Sequence, residues 1–186
     1  LEKMRKPFAV VAANLGNGER TVFVRGNTGQ AVRASSSIPG VFEAVAIGKA
    51  HYVDGGVVSP VPVDAARELG ADFVIAVDIG SKADGIASTT SMLGNLNQSI
   101  KIMGGKLGAQ ELARADIVIR PKVNDIGPAD FAAKNRAILE GERAAQAALP
   151  QIRAKIAALQ AARTAKARQA ADADAARQRE AERKAR

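Results

Sequence analysis

The sequence predicts an α/β domain, and three observations carry that prediction. The runs Phe73-Val74-Ile75-Ala76-Val77 and Ile117-Val118-Ile119 are continuous and apolar, without the polar alternation of a half-solvated strand, so they fit buried strands, the first covered on both faces. Helical patterns surround them: a short one from Val63 to Leu69, a longer one from Met92 to Leu112, and a third that starts at Asp130 and runs into the C-terminal tail. Two hairpin patterns precede all of these. Hairpins first, then helix and strand in alternation, imply a sheet sandwiched by helices and mainly parallel in its second half.

Taken in order, Phe8-Ala9-Val10-Val11-Ala12-Ala13 reads as a buried strand. Asn17-Gly18 is a turn signal because it needs positive φ, and Thr21-Val22-Phe23-Val24 is the returning strand. Gly29 to Ser36 reads as a short helix stopped by Ile38-Pro39-Gly40. Val45-Ala46-Ile47, Gly48-Lys49 and His51-Tyr52-Val53 form the second hairpin. The prolines of Val58-Ser59-Pro60-Val61-Pro62 forbid helix there, and Gly70 closes the helix that follows. In the Met92–Leu112 helix the expected apolar stripe is Met92, Leu96, Ile100, Met103 and Leu107, with glycines at 94, 104, 105 and 108 that weaken a helix or mark close packing.

The chain has 186 residues and 47% hydrophobic content, enough for one domain with a sizeable core. It contains no cysteine, which removes disulfides, thiolate nucleophiles and cysteine-based metal sites, and a single histidine, which removes multi-histidine metal sites. No cofactor and no metal is expected. The net charge of +8 is concentrated in residues 151–186, where ten basic residues stand against four acidic ones, leaving residues 1–150 near neutral. The expected organisation is therefore a body over 1–150 and a basic, Ala/Arg-rich tail over 151–186, helical or disordered. Leu149, Ile152, Ile156 and Leu159 form one helix stripe, and no large apolar residue follows. The tail reads as a solvated charged run or as a segment drawn to anionic membrane surfaces. Nucleic acid is not an expected partner, because no recognition motif and no aromatic platform accompanies the charge.

Asp54-Gly55-Gly56 is the most suggestive local pattern. An acid at the C-terminal end of a strand stands where α/β sheets place ligands, and two glycines let another group approach it. The residues fit a general base; they also fit an Asp-Gly turn whose carboxylate caps backbone N–H groups. Ser35, Ser36 and Ser37 offer hydroxyls, as does Ser59, but no serine of the chain lies in G-x-S-x-G, the turn that exposes a catalytic serine. Helix-end capping is the simpler role for the Ser35–Ser37 run. Asp78, at a strand end near Gly80, fits a turn cap or a ligand contact. His51 and Asp54 are three residues apart on one strand and so face opposite sides, which argues against a direct pair.

Val32-Arg33-Ala34-Ser35-Ser36-Ser37-Ile38-Pro39-Gly40-Val41-Phe42 resembles a segment of the bacterial patatin-like phospholipases. So do Tyr52-Val53-Asp54-Gly55-Gly56-Val57-Val58-Ser59-Pro60-Val61-Pro62-Val63, Ala65 to Asp72 with Ala76-Val77-Asp78, Ala115 to Pro121, and Ile138 to Glu142. The resemblance covers about residues 7–155. It implies a three-layer α/β/α fold, incomplete in this chain, and hydrolysis of lipid acyl esters by a Ser–Asp dyad that needs no histidine. It assigns Asp54 as the general base, with Gly55 and Gly56 as the motif glycines.

The family's G-x-S-x-G serine and glycine-rich oxyanion loop lie upstream of the matched region, and neither occurs here. The expectation is therefore a C-terminal part of a longer enzyme, inactive alone, with an upstream segment of the same enzyme and a lipid or acyl-ester substrate as partners. A non-catalytic partner- or membrane-binding module on the same fold, and an acyltransferase, are the alternatives. A cytoplasmic or peripheral-membrane location is favoured.

Overall fold

The computed structural model describes residues 1–80, 92–127 and 130–184. It divides into two compact units, Leu1–Ala144 and Ala145–Arg186. The first is mixed α/β and holds β1 (Val10–Asn14), β2 (Arg20–Phe23), α1 (Thr28–Ser35), β3 (Val45–Ile47), β4 (Ala50–Asp54), α2 (Val63–Glu68), β5 (Ile75–Val77), α3 (Met92–Leu112) and β6 (Ile117–Ile119). The last helix, α4 (Lys134–Lys184), starts in this unit and supplies the described part of the second.

Both predicted hairpins form. β1 and β2 pair antiparallel from Val10↔Phe23 to Ala13↔Arg20, and Gly18 takes φ +74° in the turn. β3 and β4 are joined by the two-residue loop Gly48-Lys49, in which only the glycine has positive φ, as a type II′ connection requires. β1 then pairs antiparallel with β4, Ala12 opposite Asp54, so the sheet runs β2-β1-β4-β3. α1 begins at Asn27, whose side chain accepts from the Gln30 N–H, and its buried Ala31 and Ala34 lie against one sheet face. On that face Phe23 and Tyr52 meet edge-on with ring centroids 5.1 Å apart.

β5 and β6 pair in parallel, Ile75↔Ile117 through Val77↔Ile119, as the alternating pattern predicts for the second half of the chain. The strands form two sheets among the described residues, where the alternation suggests one. The β5 run is also not buried on both faces. Val74 and Ala76 enter a cluster with Val63 and Leu112, while Ile75 and Val77 on the alternate face are 42% and 52% exposed. Alternation of side chains along a strand produces this split once α2 and α3 cover only one side.

α3 has the predicted span but buries a different face. Leu96 and Met103 of the expected stripe are more than half exposed, whereas Gly108, Glu111 and Leu112 are buried. Of Gly104, Gly105 and Gly108, only Gly108 lies at a contact: a Cβ there would stand 3.6 Å from the Pro60 Cβ, an ordinary packing distance, while the other two face open space. α4 continues helical through the basic tail with Pro150 inside it. In the second unit Ile152, Ile156 and Leu159 are half-buried, and every described side chain beyond Leu159 is exposed. Ala185 and Arg186 of the tail lie outside the described residues.

Candidate active site

Asp54 is the last residue of β4, paired across to Ala12 of the central strand β1. Its backbone N–H donates to the Ser37 carbonyl at 2.9 Å, which fixes the strand end against the segment leaving α1. The chain then tightens into a single 3-10 turn, Gly55–Val57. Gly55 is buried against β1: a Cβ there would collide with the Val11 carbonyl oxygen and stand 2.9 Å from its carbon, so only glycine fits. The Gly55 carbonyl accepts from Val58 N–H at 3.1 Å and Ser59 N–H at 2.8 Å.

The Asp54 carboxylate is half-buried, and its Oδ1 accepts the Gly56 N–H at 2.7 Å. Oδ2 has no hydrogen-bond partner among the described residues. Both sequence-level roles of this residue are thus compatible in one geometry. One oxygen caps the turn and orients the group; the other remains able to take a proton from an incoming hydroxyl.

The remaining candidates fall elsewhere. Ser36 Oγ donates to the Val32 carbonyl and Ser37 Oγ to the Arg33 carbonyl, each at 2.8 Å, so both close the end of α1. No hydroxyl of Ser35, Ser36, Ser37 or Ser59 hydrogen-bonds the Asp54 carboxylate among the described residues. His51 is exposed, beside Asn14 and Lys49. Asp78 accepts from Gly80 N–H at 3.1 Å and pairs with Arg120 at 3.1 Å, which makes it a turn cap with an ion-pair partner. No cluster of three or more acidic or histidine side chains suited to a metal occurs among the described residues.

Glu111 is a feature that sequence reasoning missed. It is 7% exposed; one carboxylate oxygen accepts the Ser59 hydroxyl and the other accepts the Val61 N–H at 2.9 Å. In the sequence it resembles any solvated helix acid. The one signal that could have found it is its place three residues after Gly108 on α3. Nearby, Arg114 holds Asp64 with two bonds of 2.6 Å. Asp64, and more weakly Glu111, raises the guanidinium pKa above its ordinary value, and Asp64 is in turn lowered, first by the hydrogen bonds from Arg114.

A groove of about 850 Å³ opens beside Gly56; Val61, Val77, Ile79, Ile102 and Leu112 give it a mainly apolar wall, and Asp78, Lys101, Lys106 and Arg120 also line it. The arrangement is a carboxylate at a strand end, fixed by a glycine-rich turn, next to an apolar groove.

Residues 5–67, which include Asp54-Gly55-Gly56, match the family model of patatin-like phospholipases. Over this segment the chain is similar to the patatin-like phospholipases. Its relatives include an uncharacterized NTE family protein of Mycobacterium tuberculosis, 28% identical over 80% of this chain and 30% of the relative. A second uncharacterized NTE family protein of the same organism is 36% identical over 45% of this chain and 23% of its own length. Lysophospholipase NTE1 of Candida albicans is 32% identical over 39% of this chain and 5% of that protein. The chain spans about 30% of the first relative's length. Among the described residues, no helix is long and apolar enough to cross a membrane.

Proposed function

We propose that this chain supplies the catalytic carboxylate of a serine acyl hydrolase of the patatin-like type, acting on lipid acyl esters. The carrying observation is Asp54 itself, held through Oδ1 by the Gly56 N–H with Oδ2 unengaged. Its family context and the adjoining apolar groove support a lipid ester as substrate. The nucleophilic serine comes from outside these 186 residues, since no G-x-S-x-G occurs among them. Residues 1–150 are then the C-terminal part of the catalytic domain, and an upstream segment of the same enzyme is the partner that completes it.

In the proposed reaction, Asp54 Oδ2 takes the serine hydroxyl proton as the serine oxygen bonds to the acyl carbon. The tetrahedral intermediate collapses, the ester C–O bond breaks, and Asp54 returns the proton to the leaving alcohol. Water then attacks the acyl-enzyme, passing its proton to Asp54, and the serine leaves with that proton restored. An alcohol in place of this water turns the same cycle into acyl transfer. With one carboxylate as both base and orienter, no histidine is required.

The test is fluorophosphonate labelling of the active assembly, this chain together with the serine-bearing segment, followed by mass spectrometry. Label on a serine of that segment, together with ester hydrolysis reduced to a small residual rate by Asp54→Asn, is the expected result. Label on Ser35, Ser36, Ser37 or Ser59, or full activity in Asp54→Asn, refutes the dyad.

A second reading concerns residues 151–186, whose exposed basic helix suits an anionic membrane surface. Truncation after Leu159 should remove sedimentation with vesicles containing phosphatidylglycerol; unchanged sedimentation refutes this role.

A further inference from the structure

We infer that Glu111 is a positioning residue that holds Asp54 in its working orientation through the Gly55–Val61 loop. The inference rests on the dyad reading above. A carboxylate buried in a protein interior is costly unless its oxygens are hydrogen-bonded, and both oxygens of Glu111 are spent on one loop. That loop is the one leaving the Asp54-Gly55-Gly56 motif. The connection is continuous. Glu111 fixes the Ser59 hydroxyl and the Val61 N–H; the Ser59 N–H holds the Gly55 carbonyl at 2.8 Å; and the next amide, Gly56 N–H, holds Asp54 Oδ1 at 2.7 Å.

The loop is therefore clamped from two sides. On one, Gly55 is wedged against the Val11 carbonyl of β1. On the other, α3 brings Gly108 to Pro60 and Val61 and presents Glu111. Without the second clamp, the segment after Gly56 keeps only its own short-range turn bonds. Prolines at 60 and 62 leave few N–H groups to anchor it otherwise, and Val61 N–H would lose its partner. A carboxylate aimed by a loose loop samples misaligned positions, and misplacement on the scale of 1 Å costs a dyad roughly 100-fold in rate.

Glutamine can keep the clamp. Its carbonyl accepts from Val61 N–H, and its amide NH₂ donates to Ser59 Oγ after the hydroxyl rotates. The proposal thus separates hydrogen-bonding shape from charge.

The experiment uses the active assembly and a p-nitrophenyl ester. Glu111→Ala should lower kcat by roughly 100-fold with KM within about threefold, and Glu111→Gln should stay within about threefold of the parent in both. Ser59→Ala, which removes one of the two bonds, should fall between them and covers the case in which Glu111→Ala fails to fold. Acting through Asp54, Glu111→Ala should add nothing further in an Asp54→Asn background. Amide exchange across Gly55–Val61 should speed up in Glu111→Ala. An unchanged kcat in both Glu111→Ala and Ser59→Ala, or a full additional loss in the Asp54→Asn background, overturns the role of Glu111 alone. Parent-level activity in Asp54→Asn overturns the dyad instead, so the two failures are distinct.

Discussion

Replacing Gly55 with alanine probes the contact on which the site is built. The added methyl would overlap the Val11 carbonyl oxygen, stand 2.9 Å from its carbon, and lie 3.2 Å from the Val11 Cγ1. Neither partner can easily retreat. Val11 belongs to β1, which is paired with β2 on one edge and β4 on the other, so moving its carbonyl strains the centre of the sheet. The alternative is for the Gly55–Val57 turn to peel away, which weakens the two hydrogen bonds to the Gly55 carbonyl. Overpacking of this kind costs about 1–3 kcal/mol. The strained turn bonds add about 1 kcal/mol, while reduced backbone freedom of the unfolded chain takes away a similar amount. A glycine-to-alanine change at an unstrained position stabilises through that same unfolded-state effect, so here it offsets part of the loss. The net expectation is a destabilisation of about 2 kcal/mol. With a urea dependence of about 2 kcal/mol per molar, the midpoint should fall by about 1 M. Gly56→Ala is the matched control. Its Cβ would stand 3.1 Å from Asp54 Oδ1, the end of a side chain that can rotate. It should cost less than about 1 kcal/mol of stability while displacing the carboxylate and lowering activity. Equal midpoints for the two variants, or a shift below about 0.3 M for Gly55→Ala, would refute the wedge against β1.

Other expectations follow from the same geometry. Gly141→Ala, inside α4 with no atom within 4 Å of the added Cβ, should stabilise by about 0.5–1 kcal/mol in urea titrations; destabilisation would mean the position is not open. The pKa of Asp64 is depressed by Arg114, so the pair's contribution is present above the ordinary carboxylate range and is lost as pH falls through the lowered value. Arg114→Gln should raise the Asp64 midpoint seen by carboxyl-carbon NMR and reduce the stability gap between acid and neutral pH. An unmoved midpoint would dismiss that ion pair. Asp125, lowered by its hydrogen bond from Arg136, should respond to Arg136→Gln in the same direction. Removing the residues beyond Leu159 should take away helical circular-dichroism signal without moving the midpoint of the first unit's unfolding, because those described side chains are exposed; a lower midpoint would reveal packing there.

Local turn chemistry was the most legible part of the fold. Asn17-Gly18 and Gly48-Lys49 specify hairpins because positive φ is cheap only for glycine, and both turns formed with strands close to those expected. Asp54-Gly55-Gly56 was legible for the same reason. What the sequence hid was which face of an element is covered. Met92, Leu96 and Met103 promise a buried stripe by spacing, yet α3 buries Gly108, Glu111 and Leu112 instead, on the side that meets Pro60 and Val61. Ile75 and Val77 likewise promise a doubly covered strand, but coverage depends on which elements pack against it. Glu111 was invisible on both counts: its burial depends on which side of α3 is covered, and its partners are about 50 residues away.

That separation has a mechanistic consequence. A base for a serine must be rigid without being neutralised by its supports. As the proposed base, Asp54 would meet both demands through the order of its contacts. Its own turn engages only Oδ1, so the second oxygen is not consumed by capping. Rigidity is instead imposed on the turn, by the Val11 carbonyl below and by Glu111 above, neither of which touches the Asp54 carboxylate. A second carboxylate placed directly beside Asp54 would raise its proton affinity through repulsion. Relayed through backbone amides and the Ser59 hydroxyl, the Glu111 charge fixes the loop from a distance. In the proposed dyad, the acid that would do the chemistry and the acid that would hold it in place can then occupy one site without competing for the same proton.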